Sequence, residues 1–176
     1  YGMMTMSGGG DDTTGMLHHY QLARDFCGEW GYIRVGGAVR PEDVDEHART
    51  LVAARAMHLI PVWSAYRVPD DYWNPDNHEL PRYDPDGSLT TFGNAYEKWA
   101  RAVYERGLTI PYFEYGNEVN GGYFGDHPEV YAHMCIAVSQ ALKRVDPKLS
   151  FGTAGMAGCG CDFYDKMLTL VPELKD

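Results

Sequence analysis

A glutamate that follows an asparagine among aromatic residues is the feature of this sequence best suited to chemistry. Glu118 comes directly after Asn117 and closes a run rich in tyrosine and phenylalanine at residues 112–115. A carboxyl group in apolar, aromatic surroundings holds its proton to higher pH than one in water, as a general acid must. An amide beside it can hydrogen-bond a substrate hydroxyl. The pair predicts general acid/base chemistry on a sugar, with Glu118 as the catalytic residue and Asn117 as a substrate-binding residue.

Cleavage of a glycosidic bond needs a second carboxylate. The two carboxyl groups stand about 5–5.5 Å apart in retaining enzymes and about 6.5–9.5 Å apart in inverting ones. Glu114 shares the face of Glu118 on the predicted strand, but four residues at about 3.3 Å each separate the two by about 13 Å. Glu114 is therefore excluded as the partner. The simpler alternative for Glu118 is an ordinary carboxylate at a strand end, held in a salt bridge.

The spacing of apolar residues predicts helices and strands in alternation, which favours a parallel sheet with right-handed crossovers. No Gly-x-Gly-x-x-Gly follows a predicted strand, so the fingerprint of a dinucleotide-binding fold is missing. A (β/α)8 barrel needs about 250 residues, so a chain of 176 residues corresponds to five or six of its units. The predicted helices cover residues 17–30, 41–55, 92–103, 128–145 and 163–174, and the predicted strands cover 1–6, 32–35, 59–63, 112–118 and 149–152.

These elements predict an α/β fold, the N-terminal portion of a TIM (β/α)8 barrel. Residues 1–176 form one partial domain, from strand 1 to helix 5, and strands 6–8 are expected beyond it. Residues 66–93 form the longest irregular segment, and loops of that length are usually functional or disordered. The aromatic residues of this segment favour an ordered functional loop. Its residues Asp70, Asp71, Tyr72 and Trp73 are expected to be solvated, or alternatively to line a substrate groove.

Functional groups of such barrels lie where the strands end, at the C-terminal face. This rule selects Arg34, Trp63 and Tyr66 in addition to the Asn-Glu pair. Trp63 and Tyr66 are expected to bind substrate by stacking on the apolar face of a pyranose; the alternative is core and loop packing. Arg34 is expected at the active site; the alternative is a structural arginine that pairs with Glu114 inside the barrel.

The Asn-Glu pair at the end of the fourth predicted strand resembles the acid/base motif of clan A glycoside hydrolases, which share the eightfold barrel. The context is similar: an arginine lies in Tyr-Ile-Arg-Val two units earlier, and a helix ends in Arg-Val-Asp-Pro at residues 144–147. The resemblance implies that Glu118 is the general acid/base, that Asn117 holds the hydroxyl beside the anomeric carbon, and that Arg34 orients the nucleophile. It places that nucleophile, another glutamate, at the end of strand seven, beyond Asp176.

The function that the resemblance implies is hydrolysis of O-glycosidic bonds in a poly- or oligosaccharide by a retaining double displacement, with no metal or organic cofactor. The isolated chain is then expected to lack glycosidase activity, and turnover of an aryl glycoside by it would refute that prediction. The alternative from another class is a non-catalytic carbohydrate-binding or adhesion barrel. The resemblance favours a secreted or extracellular protein, whereas the sequence alone leaves the location open.

Composition narrows the range of partners. Fifteen basic and twenty-five acidic residues give a net charge of −10, which argues against binding to nucleic acid or to anionic membrane surfaces. No apolar run approaches the roughly 20 residues that cross a bilayer. Cys159 and Cys161 supply two ligands where zinc prefers four. A metal-dependent barrel hydrolase that uses His18 or His19 remains a further alternative, and carbohydrate is the expected partner.

Overall fold

Five parallel strands form the central sheet of the protein. A computed structural model describes residues 2–4, 13–65, 67–158 and 160–175. Each strand pairs in parallel with the next, in the order β1 (Gly2–Met4), β2 (Tyr32–Gly36), β3 (Ile60–Ala65), β6 (Tyr112–Tyr115) and β7 (Ser150–Thr153). A separate antiparallel hairpin pairs β4 (Trp73–Asn74) with β5 (Asn77–Pro81). The predicted α/β fold with a parallel sheet is confirmed.

Helices α1 to α5 connect the strands of the sheet, and α6 follows the last strand; they cover α1 (Thr13–Cys27), α2 (Val44–Ala56), α3 (Thr90–Tyr104), the short α4 (Gly122–Asp126), α5 (Pro128–Lys143) and α6 (Cys161–Leu170). Pro128 begins α5, as predicted, because a proline fits the first turn, where its missing N–H is not needed. Short 3₁₀ turns cover Pro41–Asp43, Asp70–Tyr72 and Pro172–Lys175. No helix in the described part of the chain is both long and apolar enough to cross a membrane.

The central strands have one apolar face and one polar face. Successive side chains of a strand point to opposite sides of the sheet. Trp63 on β3 and Phe113 on β6 point toward the helices and are each 1% exposed. Ser64 and Glu114, the next residues along these strands, point to the other side and are half-buried. The hydrophobic core therefore lies between the sheet and the helices. The opposite face, called the polar face below, is less buried and carries Arg34, Ser64 and Glu114 beside Val62.

Helix α1 is shorter than its apolar pattern predicts. It ends at Cys27, and Gly28 follows with a positive φ of 80°, the left-handed conformation that commonly terminates a helix. Tyr20 is buried, in agreement with the pattern, but Phe26 is 81% exposed and Trp30 is 61% exposed. The prediction of a helix as far as Trp30 is wrong. Trp30 lies in the connection to β2, where its ring stacks on His58 with 5.3 Å between the centroids.

The long segment after β3 contains regular structure. It forms the β4–β5 hairpin, and Trp73 of β4 is only 8% exposed. The indole N–H of Trp73 donates a hydrogen bond of 3.2 Å to the carbonyl oxygen of Val68. Farther along, the Asp84 carboxylate accepts the backbone N–H of Thr91 at 2.9 Å, in the first turn of α3. The expectation of an ordered loop is confirmed for the described residues of this segment.

His47, on α2, is buried between the sheet and α3. The indole N–H of Trp99 donates a 2.9 Å hydrogen bond to His47 Nδ1, which assigns the ring proton to Nε2. Trp63 packs against the same ring, with 4.6 Å between the centroids. Burial lowers the pKa of His47 from its ordinary 6.5 to about 4. The imidazole is therefore neutral in the folded protein at pH values where it is charged in the unfolded chain.

This shift predicts that acid weakens the fold. Between pH 6.5 and about pH 4 the unfolded chain binds a proton at His47 that the folded chain does not. The contribution of His47 is thus fully present above pH 6.5 and is lost as the pH falls, by up to about 3 kcal/mol. Urea unfolding across this range measures the loss. In His47→Asn, whose side-chain oxygen can still accept the Trp99 N–H, this part of the pH dependence should disappear, whereas His133→Asn, at an exposed site, should retain it.

Candidate active site

An ion pair on the polar face of the sheet organises the ends of β2 and β6. Arg34 Nε donates to Glu114 Oε2 at 2.6 Å, and the two side chains are 22% and 19% exposed. The second carboxylate oxygen, Glu114 Oε1, accepts the backbone N–H of Gly155 at 2.9 Å, which ties β6 to the chain after β7. The pairing of Arg34 with Glu114, one of the two alternatives for this arginine, is observed. The orientation of a nucleophile by Arg34 stays a prediction.

The same guanidinium group positions Asn117. Arg34 Nη1 donates to Asn117 Oδ1 at 2.9 Å. Arg34 Nη2 donates to Ser64 Oγ at 2.8 Å and to the carbonyl oxygen of Gly116 at 3.1 Å. Asn117 itself is exposed. Because its amide oxygen faces the guanidinium group, its amide N–H groups remain to donate to a ligand.

The backbone between Gly116 and Glu118 turns sharply at the end of β6. Gly116 has a φ of 101°, and a Cβ atom there would lie 2.8 Å from Val119 Cγ1. Glu118 also adopts a left-handed conformation, with φ 50°, which for a residue other than glycine costs about 1–3 kcal/mol and is concentrated at functional sites. The Glu118 N–H donates to the carbonyl oxygen of Gly155 at 2.8 Å and holds this conformation. The turn leaves the Glu118 side chain exposed at the rim of the sheet.

Glu118 borders a groove of about 370 Å³. The walls of the groove are loops that follow three neighbouring strands, β2, β3 and β6. Besides Glu118 it is lined by Arg40, Arg67, Val68, Asp70, Trp73, Asn117, Val119, Gly121, Gly122, Tyr123 and Phe124. Concave sites with aromatic walls and a few convergent polar groups are typical of small-molecule binding. The groove therefore brings the predicted acid/base, Glu118, and the predicted substrate-binding residue, Asn117, into one site.

Hydrogen bonds behind the groove fix its third wall. Asn120 Nδ2 donates to the carbonyl oxygen of Ala157 at 2.9 Å, and the Ala157 N–H donates to Asn120 Oδ1 at 2.8 Å. Below them, the Tyr131 hydroxyl donates to the carbonyl oxygen of Tyr115 and accepts the N–H of Ala154 at 2.9 Å. The loops after β6 and β7 are thus joined by side chains as well as by the sheet. A site supported in this way is held in place before a ligand arrives.

Trp63 does not belong to the groove. Its side chain points to the helices, where it packs against His47 and Trp99, with 5.3 Å between the Trp63 and Trp99 ring centroids. At 1% exposure it has no face available to a sugar. The prediction of Trp63 as a substrate-binding residue is therefore wrong, and the alternative of core packing is correct. Tyr66, the other predicted stacking residue, lies outside the described residues.

Several groove residues were not selected from the sequence. Tyr123 and Phe124 follow the Asn-Glu pair within a few residues, and the intervening Gly-Gly was the available signal for a loop folding back over the site. The Tyr123 ring stacks on His127, with 4.3 Å between the centroids. Trp73 and Asp70 also border the groove, in agreement with the second alternative for this loop, that it lines a substrate groove. Arg40 and Arg67 had no distinguishing signal in the sequence.

Neither a metal site nor similarity to known proteins assigns a function to the groove. Within the described ranges, no three His, Cys, Asp or Glu side chains come together as a metal site would require. Cys159, half of the cysteine pair considered from the sequence, lies outside those ranges. No protein-family model matches the chain, and no curated protein matches it with significant similarity. The features that bear on function are therefore the groove, the network around Glu118, and the resemblance of the Asn-Glu motif.

Proposed function

We propose that the protein is a retaining glycoside hydrolase of the clan A type. On this proposal the five parallel strands are the first five strands of a (β/α)8 barrel, and the polar face of the sheet, with Arg34 and Glu114, is part of the barrel interior. The remaining strands and the second carboxylate are supplied by the rest of the natural protein. The substrate is an oligo- or polysaccharide bound in the groove beside Glu118.

Glu118 acts twice in the proposed mechanism. Its protonated carboxyl group donates a proton to the glycosidic oxygen while the second carboxylate attacks the anomeric carbon, so that the bond to the leaving group breaks as the bond to the enzyme forms. The Glu118 carboxylate then removes a proton from water, which displaces the enzyme carboxylate and releases the sugar. An N–H of Asn117 donates to the hydroxyl beside the anomeric carbon.

One observation supports this proposal above the others. A single arginine, Arg34, connects Glu114 on the polar face of the sheet to the amide that precedes Glu118, through its 2.6 Å ion pair with Glu114 and its 2.9 Å bond to Asn117 Oδ1. A surface glutamate in an ordinary salt bridge does not require such support, and in the described part of the chain Glu118 is in no ion pair. Its carboxylate instead faces a groove with aromatic walls, Tyr123 and Phe124 among them. This arrangement is suited to proton transfer to a bound sugar.

The test is hydrolysis of a panel of oligosaccharides and alkyl glycosides by the natural protein that carries this chain. We expect one class of glycoside to be cleaved, and the first-formed hemiacetal, observed by proton NMR before mutarotation, to keep the anomeric configuration of the substrate. Inversion would contradict the retaining mechanism. Binding of glycans with no cleavage by the natural protein would instead identify a non-catalytic carbohydrate-binding barrel.

A further inference from the structure

The segment that follows β7, residues 154–157, holds the turn that carries Glu118. The Glu118 N–H donates to the carbonyl oxygen of Gly155 at 2.8 Å. The Gly155 N–H in turn donates to Glu114 Oε1 at 2.9 Å, on the polar face of the sheet. Glu118 has a left-handed φ of 50°, a conformation that a residue other than glycine keeps only where its surroundings hold it. The direction of the Glu118 side chain therefore depends on the position of Gly155.

Tyr131, on α5, fixes the beginning of this segment. The carbonyl oxygen of Pro111 accepts the N–H of Ser150 at 2.9 Å, and the parallel pairing of β6 with β7 continues from there. Four residues farther along, at the ends of the two strands, the Tyr131 hydroxyl joins the carbonyl oxygen of Tyr115 to the N–H of Ala154. Tyr131 is 1% exposed, so these two bonds are shielded from water. They set the distance between the two strand ends and with it the position of Ala154.

Asn120 fixes the end of the same segment. It lies two residues after Glu118 in the turn, and its amide group makes two hydrogen bonds to Ala157. Asn120 Nδ2 donates to the carbonyl oxygen at 2.9 Å, and Oδ1 accepts the N–H at 2.8 Å. An amide that is bonded through both of its atoms to one residue is held in a single orientation. Gly155, which holds Glu118, is thus enclosed between two fixed points, Ala154 and Ala157.

We propose that Asn120 and Tyr131 are positioning residues for Glu118, and that they act on it through residues 154–157. This proposal rests on the function proposed above and adds to it two residues that take no part in the chemistry themselves. Proton transfer requires the donor oxygen within hydrogen-bond reach of the glycosidic oxygen. A displacement of about 1 Å can cost about 10²-fold in rate. Loss of either residue therefore slows the steps that need Glu118 as an acid or a base.

The first test compares Asn120→Ala and Tyr131→Phe in the natural protein on two substrates. We expect kcat/KM for an alkyl glycoside, whose leaving group needs a proton, to fall by about tenfold or more in each variant. For a dinitrophenyl glycoside of the same sugar it should change by less than about twofold. A variant that had lost only stability or substrate binding would lose both rates alike. Asn120 lies in a loop and is half-buried, so its variant carries the test even if Tyr131→Phe does not fold.

Two matched controls remove similar hydrogen bonds elsewhere. The Tyr104 hydroxyl also bridges two groups, since it accepts the N–H of Ile110 at 3.2 Å and donates to Asp146 at 2.7 Å, but it does so before the start of β6. Tyr104→Phe is the control for Tyr131→Phe. Asn94 Oδ1 accepts a 3.0 Å hydrogen bond from Arg144 on the helical side of the fold, so Asn94→Ala is the control for Asn120→Ala. Both controls should leave both rates unchanged.

Hydrogen exchange of the backbone amides tests the same connection without turnover. The Glu118 N–H is bonded to Gly155 and not to the Asn120 side chain, so a purely local role of Asn120 leaves its exchange unchanged. We expect the Glu118 amide to exchange at least about tenfold faster in Asn120→Ala than in the unsubstituted natural protein, because Gly155 is no longer held. In Asn94→Ala its exchange should stay the same.

The outcomes separate this proposal from the one on which it rests. Equal losses on the two substrates, full activity of both variants on the alkyl glycoside, or unchanged exchange at Glu118 in Asn120→Ala would overturn the positioning role. Each of these results leaves the glycosidase proposal standing. Failure of the unsubstituted natural protein to cleave any glycan would contradict the glycosidase proposal, and with it the role given to Asn120 and Tyr131.

Discussion

A Glu118→Gln variant of the natural protein is expected to lose about 10²–10⁴-fold in kcat/KM for an oligosaccharide or alkyl glycoside, whose leaving group needs a proton. The amide keeps the size of the side chain but cannot supply that proton. For a dinitrophenyl glycoside of the same sugar, whose leaving group departs as a stable anion, kcat/KM should fall by only a few-fold, since the attack step no longer depends on an acid. Steady-state kinetics on the two substrates measures the difference.

The difference between leaving groups distinguishes an acid/base role from a structural one. Loss of the fold would lower both rates equally, and so would loss of substrate binding. Glu105→Gln, at an exposed position after α3, provides a matched control that should leave both rates unchanged. An equal loss on both substrates in Glu118→Gln would show that Glu118 is not the general acid.

Removal of Arg34 should have the largest effect on stability. In Arg34→Met the Glu114 carboxylate loses its cationic partner while it remains mostly buried, at 19% exposure. Ser64 and Asn117 lose hydrogen bonds at the same time. We expect the free energy of unfolding to fall by about 2–4 kcal/mol, since a charge left without its partner in a partly buried site is costly. Urea unfolding followed by circular dichroism measures the change.

Substitution of Glu114, the partner of Arg34, tests why Arg34→Met lowers the stability. If the cost arises from the uncompensated carboxylate, Arg34→Met/Glu114→Gln should recover part of the stability that Arg34→Met loses. Arg101→Met provides the control, because Arg101 also pairs with a glutamate, Glu97, but is 53% exposed on α3. We expect less than about 1 kcal/mol for this surface pair. If Arg34→Met also lowered the free energy of unfolding by less than about 1 kcal/mol, the role of Arg34 in organising the site would be contradicted.

The order of the strands could be predicted because each one is marked by a short β-branched or aromatic run between two helical patterns. Consecutive parallel units are adjacent in space, so β2, β3, β6 and β7 follow one another in the sheet as they do in the chain. The position of Glu118 just beyond the carboxyl end of β6 follows from the same order of elements. Its surroundings were not predicted correctly: the strand was expected to run to Glu118 among aromatic residues, but it ends at Tyr115, and Glu118 is exposed in the turn that follows.

The error at Trp63 arose from the choice of face. The two-residue period of a strand shows that Trp63 and Ser64 point in opposite directions, but not which of them meets the helices. That choice is set by packing: Trp63 fills the space between His47 and Trp99, residues distant in the sequence. An aromatic residue at a strand end can therefore either line a binding site or pack in the core. The residues that it contacts across the fold decide which of the two occurs.

The arginines of the groove could not be predicted for a different reason. Arg40 and Arg67 are separated by a helix and a strand, and what brings them together is the backbone hydrogen bond between Val39 and Arg67. Bonds between loops depend on loop conformation, which carries no periodic signal in the sequence. The end of α1 was missed for a local reason, since the positive φ of Gly28 stops the helix before its apolar pattern ends.

Azide rescue is the most direct test of Glu118 as the acid/base of a retaining enzyme. In Glu118→Ala the covalent sugar–enzyme ester forms from a dinitrophenyl glycoside, but no base remains to activate the water that should release it. Azide, which needs no base and fits the space left by the side chain, should restore turnover and yield a glycosyl azide with the configuration of the substrate. Failure of azide to accelerate Glu118→Ala, or a glycosyl azide of inverted configuration, would contradict the assignment.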